Sequence, residues 1–216
     1  FETRLRHVSG AIKLVYASTY HKGAKAYVAS TPSNIEDERM AVVIQELVGR
    51  EVNGRFYPHI SGAARSRNHY PVAPLKAEDG IAAVCIGLGR QVASGEKCLS
   101  FSPGQPKRMH QFHSTESMLE TSQTSFWAIP MGASEKPVSP DEAANLINLS
   151  LRDAESDGRL GLVGSTYIMA DDRIVDSVKA DGGPRVVTFA PILKHKRVPL
   201  SGILHHVLTR CEAYLN

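Results

Sequence analysis

The chain has 216 residues, 42% of them apolar and 22% charged, with a net charge of +3. That length allows one medium domain or two small ones around a real core, and the mild positive charge suits an anionic ligand without demanding nucleic acid. Three widely spaced cysteines (Cys85, Cys98, Cys211) show no disulfide framework and no cysteine zinc pattern, and no apolar run approaches the ~18 residues of a membrane span. A reducing, cytoplasmic setting with no membrane partner is expected. Because the sequence opens at Phe1 inside a helical pattern, it is expected to be an excerpt of a longer polypeptide.

"RLRHVSGAIKLVYAS" sets Leu5, Val8, Ile12 and Val15 at helical spacing, and "YHKGAKAYVAS" predicts a second short helix that Thr31-Pro32 stops. "MAVVIQELVG" is β-rich and predicts a strand closing at Gly49. "RFYPHISGAARS" predicts another strand with a turn, and "HYPVAPLKAEDG" a loop. "IAAVCIGLG" predicts a buried strand leading into a glycine turn, and "KCLSFSP" a short strand. Residues 104–125 are polar and predict loop plus a short helix, before the strand "SFWAIPM". In "SPDEAANLINLSLRDAESDG", Ser139 as cap, Pro140 at the first position and the following Asp141 and Glu142 predict one helix. "VGSTYIMADDRIVDS" predicts a hairpin around Asp171-Asp172, "PRVVTFAPIL" a strand, and "PLSGILHHVLTRCEAYL" a closing amphipathic helix. Helices flanking a block of strands make the fold class α+β or α/β.

Four patterns bear on chemistry. The strand end "QELVG" resembles a hinge that offers backbone groups to an adenine edge; the alternative is an edge strand with a solvated polar pair. Arg65 and Arg67 share a face if extended, and paired guanidiniums suit phosphate oxygens; the alternative is a solvated basic edge. Gly87, Gly89 and Gly95 fit neither the dinucleotide fingerprint nor the P-loop, so the turn is either a weak phosphate cradle or a tight turn needing positive φ. His110 with His113, and His205 with His206, have no third metal ligand near in sequence and read as structural or solvated; Trp127 and Tyr167 read as core aromatics.

Taken in order, "AIKLVYASTYHKGAKAYV", "MAVVIQELVG", "SGAARS", "EDGIAAVCIGLGRQVASGEKCLSFSP", "VGSTYIMADDRIVDS" and "RVVTFAPIL" resemble the N-terminal ATP-grasp domain of the phosphoenolpyruvate synthase and pyruvate phosphate dikinase family. The resemblance implies an α+β, ATP-grasp-like mixed sheet flanked by helices. It implies an incomplete domain across 1–216, with 1–38 a helical lead-in and 39–216 the hinge and sheet-containing lobe. It implies ATP as ligand and phosphoryl transfer to a histidine carrier, then pyruvate, by positioning and charge neutralisation.

Carried over by position, Gln45, Glu46, Leu47 and Val48 match the adenine hinge, with Gln45 facing the base and the backbone of Leu47 and Val48 bonding it. Ser61 and Gly62 match the Ser-Gly that opens the strand beyond the hinge. Gly87, Gly89 and Arg90 match the glycine turn, and with Arg65 and Arg67 they are the phosphate-binding candidates. Arg90 stands where the family has a carboxylate, and "SGAARSRN" replaces its usual strand sequence. Mg2+ is implied, but its ligands are expected outside this chain, so no metal-binding or catalytic residue is assigned. The implied partners are ATP and the phosphohistidine and pyruvate-binding domains of the parent protein, and the chain alone is not expected to complete the reaction. Arg90 keeps open a rival: a non-catalytic module binding a nucleotide or a partner on the same fold. Nucleic acid is not expected, because the charge is small and the aromatics are scattered.

Overall fold

The computed structural model describes residues 2–32, 34, 39–132, 139 and 141–215. They fall into two compact units: Phe1–Val48 with Ile129–Ile147, and Gly49–Ala128 with Asn148–Asn216.

In the first unit the two predicted helices form, as α1 (Glu2–Ser18) and α2 (Lys22–Ala29). The second ends where the Ser30 and Thr31 N–H groups turn back onto the carbonyls of Tyr27 and Val28, just before Pro32. Neither helix buries a residue, and the apolar face that Leu5, Val8 and Val15 define on α1 is exposed. The strand predicted over 40–49 does not form; the segment has no regular structure and is largely exposed. Among the described residues it pairs with no strand, and a strand exists only through its ladder.

The second unit opens with a hairpin, β1 (Arg50–Val52) and β2 (Arg55–Tyr57), turned by Asn53 and Gly54 at φ 49° and 71°. An Asn-Gly pair tolerates two successive positive φ values and is a strong hairpin signal, yet the sequence reading places only the second strand. β3 (Ser61–Arg65), β4 (Ile81–Cys85) and β5 (Leu99–Phe101) form one antiparallel sheet with β4 central. Between β4 and β5 lies α3 (Arg90–Ala93). α4 (Thr115–Thr121) follows, its first turn capped by the Ser114 hydroxyl accepting from the Ser117 N–H at 3.1 Å. β6 (Ser125–Pro130) and β7 (Ile147–Ser150) complete a four-stranded sheet of order β1-β2-β6-β7.

The single helix predicted over 139–158 is corrected by the structure. A 3-10 turn, Glu142–Asn145, closes on itself through the Asn145 amide, which donates to the carbonyls of Ser139 (2.9 Å) and Asp141 (3.2 Å). Ile147 and Leu149 then alternate with exposed neighbours and join a sheet. Only at Ser150 does a helix start, α5 (Leu151–Ser156), where Asp153 accepts from both the Ser150 N–H (2.9 Å) and its hydroxyl (2.7 Å). The cap is therefore Ser150 and not Ser139, and Pro140 lies outside the described residues. The predicted hairpin is β8 (Gly164–Ile168) with β9 (Arg173–Val175), and β10 (Arg185–Val187) joins it in the order β10-β8-β9. The strand predicted across 184–193 stops at Val187 and becomes α6 (Ala190–Leu193), because Pro191 has no N–H for a ladder but fits a first helical turn. α7 (Leu200–Leu215) closes the chain against β3.

The core of this second unit gathers Tyr57 and Phe126, with ring centroids 4.7 Å apart, together with Ile86, Val163 and Phe189. The α+β class is as expected, and every pairing whose register is described is antiparallel.

Candidate functional site

The glycine turn is built from its buried end outward. β4 ends at Cys85, and the next residue, Ile86, is fully buried. The Gln123 side chain, also buried, supplies the missing ladder: its Oε1 accepts the Ile86 N–H and its Nε2 donates to the Ile86 carbonyl, both at 2.9 Å. Gly87 follows at φ +84°, and a Cβ there would stand 2.7 Å from the Trp127 carbonyl oxygen and 2.9 Å from the Phe126 Cβ. Only glycine fits both demands. The Gly87 N–H donates to the Pro58 carbonyl (3.3 Å) and the Leu88 N–H to the Trp127 carbonyl (2.9 Å). These two amides are committed within the protein, so a phosphate would have to be met beyond them, at Gly89 and Arg90. Gly89 is exposed and starts α3.

Arg90 is half-buried, with its guanidinium 4.9 Å from the centroid of the Trp127 ring. The Trp127 Nε1 donates in turn to the Glu96 carboxylate, at 3.1 Å and 3.3 Å to its two oxygens. A cation over an indole face is worth roughly 0.5–2 kcal/mol, more as water is excluded. Trp127 is thus a half-exposed platform for Arg90 rather than the core aromatic expected from sequence. Glu96, which spacing gave no reason to single out, fixes that platform. Tyr167 is likewise half-exposed, its hydroxyl donating to Asp172 at 3.0 Å.

The other predicted residues lie apart from this turn. Arg65 pairs with Ile81 at one end of the β3–β4 ladder, whereas Ser61 pairs with Cys85 at the end next to the turn. Four residue steps separate the ends, about 13 Å at ~3.3 Å per residue. One phosphate group therefore cannot be gripped by Arg65 and by the glycine turn together. Arg67 reaches Glu78 at 3.9 Å, with both side chains mostly in solvent, a contact of little energetic weight. Gln45, Glu46, Leu47 and Val48 are exposed and belong to the first compact unit, while the phosphate candidates belong to the second. Among the described residues, the backbone of 41–48 makes no hydrogen bond.

One polar cluster in the second unit escaped the sequence reading. The Asp157 carboxylate, with no exposed side-chain surface, accepts from the Tyr57 hydroxyl (2.7 Å), from Asn53 Nδ2 (2.7 Å) and from Arg55 Nη2 (3.3 Å), with the Arg55 Nε in ion-pair contact at 3.2 Å. Arg55 also meets Asp153 at 3.0 Å. Arg159 covers the Tyr57 ring at 5.1 Å and donates to His59 Nδ1 at 3.1 Å. Burial, and then the bond to Asp157, push the Tyr57 hydroxyl well above its usual range, so it stays a neutral donor. Bonds from Ser150 and Arg55 hold Asp153 below the usual carboxylate range. Burial, then Arg159, lower His59. Burial, with Cys98 nearby, pushes the Cys85 thiol up to about 12, which leaves it inert as a nucleophile. The cluster therefore ties β2 to α5, with Tyr57 kept as a neutral donor and His59 pushed toward its neutral form. The partners are about 100 residues apart in sequence, and the only local hint is the alternation of Arg55, Tyr57 and His59.

Among the described residues no group of three or more His, Cys, Asp or Glu could hold a metal ion, and Arg90 is a cation at the turn. None of the described residues is assigned to magnesium. Among them, too, no helix is long and apolar enough to cross a membrane.

The helices and antiparallel sheets make a mixed α+β fold, consistent with a partial ATP-grasp-like domain. The family model for the AMP/ATP-binding domain of pyruvate phosphate dikinase matches residues 3–180. The chain belongs to that family. No curated protein and no solved structure is significantly similar to it.

Proposed function

We propose that this chain is the ATP-binding part of a phosphoenolpyruvate-synthase-like phosphotransferase of the cytoplasm. In that reading 1–38 leads into the domain and 39–216 forms the hinge and the sheet-containing lobe. ATP is held for transfer of a phosphoryl group to a histidine carrier and then to pyruvate, with the carrier and pyruvate-binding domains belonging to the parent protein. The observation that carries the reading is the family match over residues 3–180. Gln45 faces the adenine, and the unpaired backbone of Leu47 and Val48 bonds its edge. Gly89 and Arg90 meet the phosphates, with Arg90 held in place by Trp127 and Glu96. Arg65 and Arg67, at the far end of the β3–β4 ladder, would meet other oxygens than those at the turn.

The test is calorimetric titration of the parent protein with ATP. Gln45→Ala should weaken binding by about 2–12-fold, the worth of one hydrogen bond of ~0.5–1.5 kcal/mol. If the parent binds no adenine nucleotide, or if Gln45→Ala leaves affinity untouched, the reading fails.

The rival, a non-catalytic nucleotide- or partner-binding module on the same fold, is favoured by one observation: the cation of Arg90 stands where its family has a carboxylate. Titrating Arg90→Glu with and without magnesium separates the two. Magnesium-dependent tightening created by the substitution favours a site that has lost metal chemistry. Weaker binding in both conditions favours a cation that holds phosphate itself.

A further inference from the structure

A second concavity, about 180 Å³ in volume, lies at the opposite end of β4 from the glycine turn. Its floor is Ile81, the first residue of β4, and Phe101, the last of β5; Asn68, Tyr70, Arg108 and His110 stand around it.

The walls are tied to each other. The Asp79 carboxylate accepts from the Lys76 N–H and from Gln105 Nε2, each at 2.8 Å. The Asp79 carbonyl accepts from the Gly104 N–H (2.9 Å) and the Ser102 hydroxyl (2.8 Å). Asp79 thus fastens the loop that follows β3 to the loop that follows β5. The two approach so closely that a Cβ on Gly104 would stand 2.7 Å from the Asp79 carboxylate. The backbone carrying these side chains is tied down: the Tyr70 N–H donates to Asn68 Oδ1 at 3.0 Å, and the Arg108 N–H to the Gln105 carbonyl at 3.0 Å.

The groups on these fixed walls are not used by the fold. Among the described residues, the Arg108 guanidinium and the His110 ring make no hydrogen bond or ion pair. Tyr70 is 90% exposed, whereas Phe101, which lines the same concavity, is 4% exposed. An open aromatic face, an apolar floor and an unpaired guanidinium converge on one small volume. A guanidinium fork matches a carboxylate in two parallel bonds, and an aromatic face receives a flat apolar body.

We propose that this concavity binds a small organic anion: a carboxylate on a flat apolar body, paired with Arg108 and laid against Tyr70. At about 180 Å³ the concavity suits a single ring bearing a carboxylate. The site stands apart from the nucleotide reading and does not depend on it.

The test is titration of the full chain with benzoate, followed by calorimetry and by saturation-transfer NMR. Benzyl alcohol is the uncharged control and inorganic phosphate the control without a ring. Saturable benzoate binding is expected, tighter than either control. Arg108→Gln should weaken it tenfold or more, as expected for a charged hydrogen-bonded pair. Tyr70→Ala should weaken it several-fold. Both side chains are exposed, so melting temperature and ATP affinity should stay at the wild-type values in both variants. Absence of saturable benzoate binding overturns the proposal. So does benzoate binding that survives both substitutions, or binding no tighter than that of phosphate or benzyl alcohol.

Discussion

Gln123→Leu removes the side chain that completes the ladder at Ile86, one residue before the glycine turn. Gln123 is 2% exposed and Ile86 is fully buried, so no solvent replaces the lost amide. The Ile86 N–H and carbonyl, each bonded at 2.9 Å, become orphans, and the Ser125 carbonyl loses a third bond of 2.9 Å. Each buried unsatisfied group costs about 1–3 kcal/mol, so the two on Ile86 give roughly 2–6 kcal/mol. With a urea dependence near ~2 kcal/mol per molar, the unfolding midpoint should fall by roughly 1–3 M. Leucine is close in size and apolar, so the loss measures hydrogen bonding and not a cavity. The assay is urea unfolding followed by Trp127 fluorescence, read at the β6 strand that backs the turn. A midpoint unchanged within error would refute the reasoning. It would mean that the Ile86 groups find partners elsewhere and that Gln123 does not hold the turn.

Gly87→Ala should cost clearly more stability than Gly95→Ala in thermal melts. Both are at positive φ, an L-residue strain of ~1–2 kcal/mol, but only the Cβ at 87 meets backbone and Phe126, while that at 95 enters open space. Asp157→Ala should destabilise by about 3–5 kcal/mol in the same unfolding assay, because it leaves Arg55 beside a buried gap with only Asp153 to answer its charge. His59 titrates below its ordinary 6.5 in the folded protein, so the unfolded chain takes the proton first. Stability should therefore be full above about pH 6.5 and fall as the pH drops below it; a series of melts from pH 7.5 to 5 should show this slope, and His59→Gln should flatten it.

Much of the fold was legible because local chemistry sufficed. The helices α1, α2 and α7 follow their apolar spacing, and β4, β6 and the β8–β9 hairpin follow β-rich runs punctuated by turn residues. The failures share one cause. Residues 40–49 have strand composition, but composition cannot supply an edge. The stretch from Ser139 to Gly158 has a good cap signal, but the Asn145 amide closes the first turn and the alternation at Ile147 and Leu149 finds a sheet.

For the site, the sequence by itself determined which residue types were present: the run Gln45 to Val48, the arginine pair at 65 and 67, the glycines of the turn and the cation of Arg90. It also carried the family resemblance, which the match over residues 3–180 bears out. Only the tertiary structure decided how those parts are distributed. It set Arg65 and the glycine turn at opposite ends of one ladder, committed the Gly87 and Leu88 amides to the protein, and laid Arg90 on Trp127 with Glu96 behind it. It also joined Asp157 to Tyr57 across about 100 residues of chain. Turn and helix signals act over a few residues, where the backbone imposes its own geometry. Charge pairing and amide bonding act through space between segments whose separation along the chain carries no trace of the contact.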